Sequence, residues 1–244
     1  GIRDYKVTGV QTCALPISPL KQFLFLMGII LVLAFLLRPF FLPAQEDIHP
    51  INKDAKSHNP TIFWILGIFG LFAALSEGAA GDWGGVLARE TFSATPFIST
   101  LPYIVFCSAM IIGRFSGDYL AHRFGASKII MVGGVLSGSG LLTGLVVGGI
   151  PALMFAWFLL GIGLSVVIPL MFSAAGTLAT KEYSGVIAPS QAVAKVSGVS
   201  YFGFVIGPPL IGFLADLVEL RWALFLNVML CYLLILAARY AKSA

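Results

Sequence analysis

Residues 151–176 read PALMFAWFLLGIGLSVVIPLMFSAAG, a continuous run without one charged side chain. A helix needs about 20 mostly apolar residues to cross the hydrocarbon core of a bilayer, because every backbone polar group must be satisfied within the helix itself. This run is long enough to do so. Water therefore cannot be the main solvent of this part of the chain.

Six further runs meet the same criterion and cover residues 22–42, 61–80, 97–115, 129–149, 196–214 and 222–238. Of the 244 residues, 58% are hydrophobic and 11% are charged, and the mean hydropathy of +0.95 is far above that of a soluble domain. We predict an all-α membrane protein with seven transmembrane helices. Glycines four residues apart, such as Gly113 with Gly117 and Gly203 with Gly207, predict that these helices pack closely.

Charge and cysteine placement exclude several classes of function. The formal net charge is +4, but lysine and arginine are scattered singly and form no basic patch, which argues against nucleic-acid binding. The three cysteines have neither disulfide nor metal-ligand spacing. The sequence contains no G-x-x-x-x-G-K-[ST], H-E-x-x-H or G-x-S-x-G motif. We therefore expect no enzymatic activity, no metal and no other cofactor.

The first 17 residues, GIRDYKVTGVQTCALPI, differ in character from the rest. They lack the apolar core and the positively charged start of a signal peptide. Residues 7–17 are what translation of a widely used short-read sequencing adapter gives, residues 1–4 match its flow-cell end, and residues 5–6 fall where an index sits. We expect residues 1–17 to be a library artefact and the native sequence to begin near Ser18, within a gene. A natural mobile N-terminus is the alternative.

The charges flanking the seven runs predict their orientation. Alternation of sides places nine basic residues on one side and only three, Lys21, Arg89 and Arg221, on the other. The nine are Lys53, Lys56, Arg114, Arg123, Lys128, Lys181, Lys195, Arg239 and Lys242. Because basic residues are enriched in cytoplasmic loops, we expect the nine, the long polar connection before residue 61 and the C-terminus to be cytoplasmic.

The segment between the third and fourth runs, residues 113–128, reads GRFSGDYLAHRFGASK. A glycine permits a tight exit from the membrane, and a carboxylate at the membrane edge can pair with cations or a helix N-terminus. The segment resembles the cytoplasmic loop signature of the major facilitator superfamily, in its second-half copy. In that family the loop is a conformational latch, which the resemblance assigns to Gly113, Arg114, Gly117, Asp118, Arg123 and Gly125. An ordinary positively charged loop is the alternative, and Ala126 and Ser127 replace the basic residues that often follow the glycine.

A second resemblance lies in residues 200–216, SYFGFVIGPPLIGFLAD, which are similar to the eleventh helix of that superfamily. Pro208 and Pro209, after Gly207, remove backbone donors and are expected to kink the helix. Residues 77–90 and 161–176 resemble a bacterial sugar-permease-like branch.

The resemblance covers residues 22–239 and implies a domain layout. Residues 18–42 would be the last helix of an N-terminal half that lies upstream, residues 43–60 a cytoplasmic connector, and residues 61–244 the C-terminal six-helix half. Two such halves surround a central cavity, and the substrate binds near the bilayer midplane.

Ionisable residues in or beside the spans are candidates for function, because charge inside a membrane is costly. Glu77 lies sixteen residues after Thr61, about 24 Å of helix rise, which predicts a position in the outer part of the bilayer where it can load a proton from outside. Alternatively, Glu77 and Asp82 cap or hydrate a helix end near Gly78. Lys195, at the cytoplasmic end of its helix, is expected to extend toward the headgroups.

Four further side chains are candidates for contact with a small polar solute, since aromatic faces pack against sugar rings and hydroxyl groups orient them. They are Trp83, Phe172, Ser173 and Tyr201. Trp83 can equally be an interfacial residue. By resemblance, Pro169, Phe172 and Ser173 lie on a helix that usually lines the pathway.

Together these features predict a secondary transporter that moves a small polar solute by alternating access and is coupled to protons. The expected partners are a small-molecule substrate, protons, the lipid bilayer and the missing N-terminal half, and the expected location is a bacterial inner membrane. A non-transporting receptor or scaffold, or a half-length transporter that dimerises, is the alternative.

Overall fold

A computed structural model describes residues 19–40 and 60–241, and the described residues are almost entirely helical. Residues 1–17 and the connector up to residue 59 lie outside the described residues, so the predictions made for them stay predictions. The first unit contains α1 (Pro19–Leu37), followed by a 3-10 turn at Arg38–Phe40. Its apolar part, Phe23–Leu37, is shorter than the other apolar helices of the described residues, and the end of the first predicted span, residues 41–42, lies outside those residues.

The second unit is a bundle of eight helical segments, and all described helices are numbered in chain order. They are α2 (Thr61–Glu90), α3 (Leu101–Phe124), α4 (Ala126–Val147), α5 (Ile150–Leu164), α6 (Val167–Lys181), α7 (Pro189–Val218), α8 (Leu220–Ala223) and α9 (Phe225–Ala237). A 3-10 turn at Ile98–Thr100 precedes α3. When α5 with α6 and α8 with α9 are each counted as one helix, the described residues contain six helices that are long and apolar enough to cross a membrane. This confirms the predicted class of fold.

The bundle is held together by extensive helix pairs. The α2 helix packs mainly against α7, and α4 packs against both α5 and α9, while α3 packs against α5. The largest fully buried side chains include Phe63, Leu66, Trp157 and Met171. Of the long helices, α7 is the least buried and α3 the next. These two are therefore the most open helices of the bundle.

Two predicted helix ends were wrong because packing overrides local propensity. The α2 helix continues ten residues beyond residue 80 to Glu90, through a glycine-rich stretch that favours a helix end in isolation. The α3 helix continues beyond residue 115 to Phe124, so most of the predicted loop signature is helical. Only Gly125, with φ +86°, separates α3 from α4.

The fifth predicted span is one apolar run but two helices, α5 and α6. The break lies at Ser165 and Val166. Pro169 accounts for it, since proline has no N–H to donate to the carbonyl four residues earlier, here that of Ser165. By contrast, α7 runs continuously through Pro208 and Pro209 as a helix of 30 residues. The kink predicted there stays a prediction.

Arg221 ties the start of α8 to the end of α4. Its Nε donates to the Leu145 carbonyl at 2.6 Å and its Nη2 to the Val146 carbonyl at 2.9 Å. The last carbonyls of a helix have no partner within the helix, so the guanidinium satisfies groups that are otherwise unpaired.

We expect Arg221→Met to lower the free energy of unfolding by about 1.5–3 kcal/mol, because hydrogen bonds from a charged donor are lost. Thermal unfolding in detergent measures the change. Arg89→Met is the matched control, because the Arg89 side chain is exposed and makes no hydrogen bond or ion pair with any residue in the described ranges. Equal unfolding temperatures for the two variants would show that the hydrogen bonds from Arg221 to α4 do not stabilise the bundle.

Candidate functional site

A cavity of about 560 Å³ lies between α2 and α3, and Phe204 of α7 closes one side of it. Its polar lining consists of Glu77, Asp82, Tyr103, Cys107 and Arg114. Two carboxylates and one guanidinium therefore face one cavity within helices that are otherwise apolar. Such charges are costly in a membrane and mark a functional site by default.

The centre of the cavity is an ion pair between two helices. Arg114 Nη2 of α3 lies 3.6 Å from Glu77 Oε1 of α2, and the Glu77 side chain is 20% exposed whereas that of Arg114 is 54% exposed. Glu77 is thus largely enclosed and Arg114 reaches it from the open side. In a medium of low dielectric constant, each charge offsets part of the cost of burying the other.

The helix that carries Glu77 is longer than predicted. Glu77 is the seventeenth residue of a helix of 30, so it lies near the middle of α2, and its predicted depth in the bilayer stays a prediction. It caps no helix end, because the backbone continues as helix through Gly78, Gly81 and Gly84. Arg114, which was counted among the cytoplasmic charges, lies ten residues before the end of α3.

Asp82 lies on the same cavity, about one and a half turns beyond Glu77 along α2. Its carboxylate is exposed and makes no ion pair with any charged group in the residues that the structure describes. It is therefore available to a solute or a cation in the cavity.

Glycines of α2 allow aromatic side chains to form the cavity wall. A Cβ at Gly81 would meet the Tyr103 ring at 3.4 Å, and one at Gly78 would meet the Phe204 ring at 3.3 Å. Gly84 makes room for the indole of Trp157, whose Nε1 donates to the Ala80 carbonyl at 2.9 Å. The glycine-rich stretch thus holds neighbours close to α2.

The other predicted solute contacts divide into two groups. Trp83 is outside the cavity lining and packs against Gly212 of α7, and its indole nitrogen is buried without a hydrogen-bond partner among the described residues. Phe172 of α6 contacts Tyr201 of α7 at 5.9 Å between ring centroids, and Tyr201 contacts Phe204 at 6.2 Å. This aromatic row leads from the cavity toward Ser173.

The residues of the predicted latch lie on α3 and at its end. Gly113 packs against Ser165 and Gly117 against Val166, which are the two residues of the break between α5 and α6. Gly117 therefore serves close helix packing and not the tight exit that the sequence suggested.

Near the end of α3, Arg123 Nη1 donates to the Tyr119 hydroxyl at 2.9 Å, and Asp118 is exposed. The latch role of this segment stays a prediction.

Sequence reasoning missed Arg114 as the partner of Glu77 because the third span was ended at residue 115. A signal was present in the sequence: His122 and Arg123 precede Gly125, and basic residues followed by glycine are typical of a helix C-terminus. Placing the end of the helix there would have left Arg114 well inside the span. Tyr103 and Cys107, on the same face of α3, were also missed as cavity residues.

Comparison of the sequence with known proteins identifies the family of this chain. Membrane protein MosC of Rhizobium meliloti is 29% identical over 160 residues, which are 66% of this chain and 38% of that protein. An "uncharacterized MFS-type transporter" of Yersinia pestis is 28% identical over 180 residues, which are 71% of this chain and 45% of that protein. An "uncharacterized transporter" of Sinorhizobium fredii is 28% identical over 163 residues, 67% of this chain and 42% of that protein.

The chain thus spans less than half the length of these three relatives. No solved structure matches it significantly. The family model described as Major Facilitator Superfamily matches residues 67–243, which include the cavity, the broken helix and the α3–α4 connection. The chain therefore belongs to the Major Facilitator Superfamily of membrane transporters.

Proposed function

We propose that this chain is the C-terminal half of a secondary transporter that moves a small polar solute by alternating access, driven by protons. The observation that carries the proposal is the Glu77–Arg114 pair in the cavity between α2 and α3, with Asp82 beside it. A proton on Glu77 removes its charge and ends its attraction to Arg114. Arg114 is then released for a new partner, and the electrostatic link between the two helices is weakened.

A change of this kind can drive a transporter only if it favours one conformation over another. The Glu77–Arg114 pair joins α2 to α3, and α3 contacts the break between α5 and α6 through Gly113 and Gly117. Loss of the ion pair therefore frees α3 from α2 at a place where α3 packs against the break between α5 and α6. This continuous set of contacts supports movement more than it supports a rigid scaffold.

The same proposal includes the domain layout and the location. Residues 18–42 and 43–60 are the last helix and the connector of an upstream half, residues 1–17 are adapter sequence, and the protein lies in a bacterial inner membrane with a cytoplasmic C-terminus. The excess of basic residues on one side supports the orientation. Sequencing the source DNA upstream of residue 18 tests the layout, because an open frame with further apolar spans is expected there.

Solute flux tests the function directly. We expect the full gene product, reconstituted in vesicles that contain a pH-sensitive dye, to move protons when one member of a panel of sugars, polyols, amines and organic acids is added. The rate should saturate with solute concentration and vanish with an uncoupler. Saturable flux without proton movement would contradict coupling, and no flux for any member would favour a receptor or scaffold.

A further inference from the structure

We infer that Ser173 and Thr177 form a second solute-binding site for a polyhydroxylated molecule, on the cytoplasmic side of the charged cavity. This inference rests on the proposed transport function and adds a place where the solute makes hydrogen bonds on its way. Thr177 has no role in any feature described above. The two residues are one helical turn apart on α6 and line the same groove.

The hydrogen-bonding state of the hydroxyl groups carries the inference. In an apolar helix, a serine or threonine hydroxyl commonly donates to the carbonyl four residues earlier. In this structure, hydroxyls that do so belong to Ser108, Ser116, Ser137, Thr143, Thr180 and Ser200. The hydroxyls of Ser173 and Thr177 have no hydrogen-bond partner in the described ranges. Both are therefore available as donor and acceptor.

The two hydroxyl groups lie in an open groove of about 450 Å³ between α6 and the first residue of α7. Thr180 and Lys181 line its cytoplasmic end, and Pro189 lines the opposite wall. Ser173 is exposed and Thr177 is partly exposed. A solute can therefore reach both hydroxyls without displacing a side chain.

A row of three aromatic rings, Phe172, Tyr201 and Phe204, runs from the neighbourhood of the groove to the cavity wall. Phe172 precedes Ser173 in the chain, contacts Tyr201 across the α6–α7 interface, and Tyr201 contacts Phe204 on the cavity wall. Aromatic rings offer apolar faces to a ring or chain of carbons, whereas free hydroxyl groups bond to alcohols in either direction. Neither group supplies a charge. Lys181 at the end of the groove adds hydrogen-bond donors and a positive charge that disfavours an amine. The combination fits a monosaccharide or a linear polyol better than a simple amine.

The test compares Thr177 of the groove with Thr143, a threonine outside it, in the full gene product. Glucose and sorbitol are the probes, first as stabilisers against thermal unfolding in detergent and then as transported solutes in vesicles. We expect Thr177→Val to raise the KM of the transported probe about tenfold, because one hydrogen bond to the solute is lost. Thr143→Val of α4 is the control and should change KM by less than about twofold, since Thr143 lies outside the groove and its hydroxyl donates to the Ser139 carbonyl.

Further variants separate the outcomes. Thr177→Ser keeps the hydroxyl and should restore the KM, and Ser173→Ala should raise it as Thr177→Val does. Equal effects of Thr177→Val and Thr143→Val, or no stabilisation by either probe, would overturn the inference. Stabilisation that depends on Thr177 in detergent but without any flux in vesicles would support the site and refute the proposed transport function.

Discussion

Glu77→Gln should reduce proton-driven accumulation of solute by about 100-fold, the upper range of coupling between two binding events. Glutamine has nearly the shape of glutamate, so it preserves packing against α3, but it cannot carry a charge that pairs with Arg114 or accept a proton. Exchange of labelled for unlabelled solute without a gradient should continue, because that process needs movement of the protein but no net proton transfer. Accumulation and exchange in the same vesicles give the two measurements.

Glu90→Gln is the matched control for this experiment. Glu90 is the last residue of the same helix, it is exposed, and it forms no ion pair with any described residue. Its replacement should leave accumulation unchanged. If Glu77→Gln also leaves accumulation intact, Glu77 has no part in coupling and the proposed proton mechanism is wrong.

The same pair allows a sharper test through a double variant. If Glu77 and Arg114 act as one unit, Arg114→Gln should lose accumulation to a similar degree, and the variant with both changes should be no worse than either single one. Residues in direct contact are expected to be non-additive in this way. Additive losses would mean that the two charges serve separate purposes.

Gly163→Ala should destabilise the bundle by about 2–3 kcal/mol, near the upper end of what an extra methyl group costs in a packed core. A Cβ at Gly163 would contact the Gly133 carbonyl oxygen, and it would lie 2.8 Å from the Ser137 nitrogen. These are backbone atoms of α4 and cannot rotate away, so the helices α4 and α5 must separate along their contact. In a chain of 244 residues this loss corresponds to about 4–12 °C in Tm, and in the longer full gene product to proportionally less.

Gly198→Ala provides the comparison, because a Cβ at Gly198 of α7 has no neighbour within 4 Å. In a helix interior alanine is favoured over glycine by about 0.5–1 kcal/mol, so this variant should be neutral or slightly more stable. Thermal unfolding of both variants of the full gene product in detergent measures the difference. Similar Tm values would show that the α4–α5 contact is looser than the structure indicates.

The helix ends illustrate how far local sequence patterns reach. The stretch from Glu77 to Gly85 contains four glycines and two carboxylates, a composition that favours a helix end. In the folded bundle Gly78, Gly81 and Gly84 each admit an aromatic ring from another helix, and the backbone stays helical. The contacts that stabilise this stretch come from residues far away in the chain, and no local pattern contains them.

The prolines show that a residue that weakens a helix locally does not by itself decide where the helix breaks. Pro169 was expected to line a pathway and Pro208 with Pro209 to kink a helix, yet the interruption accompanies Pro169 while α7 continues through its two prolines. Each proline removes a hydrogen bond from its own helix, and this much is readable from sequence. Whether the helix then breaks depends on what packs there, and at Ser165 and Val166 the packing partners are Gly113 and Gly117.

Three conclusions were available from the amino-acid sequence alone: the chain is a bundle of membrane helices, their apolar centres lie in the predicted runs, and the chain resembles a known superfamily. The sequence sufficed because a bilayer demands about 20 apolar residues per crossing, a local property of composition. Three other results required the three-dimensional structure: Glu77 pairs with Arg114, Trp83 lies outside the cavity lining, and among the described residues the hydroxyl of Thr177 is unbonded while that of Thr180 is bonded. These results depend on the rotation and depth of one helix against another, which are set by side-chain packing between distant segments.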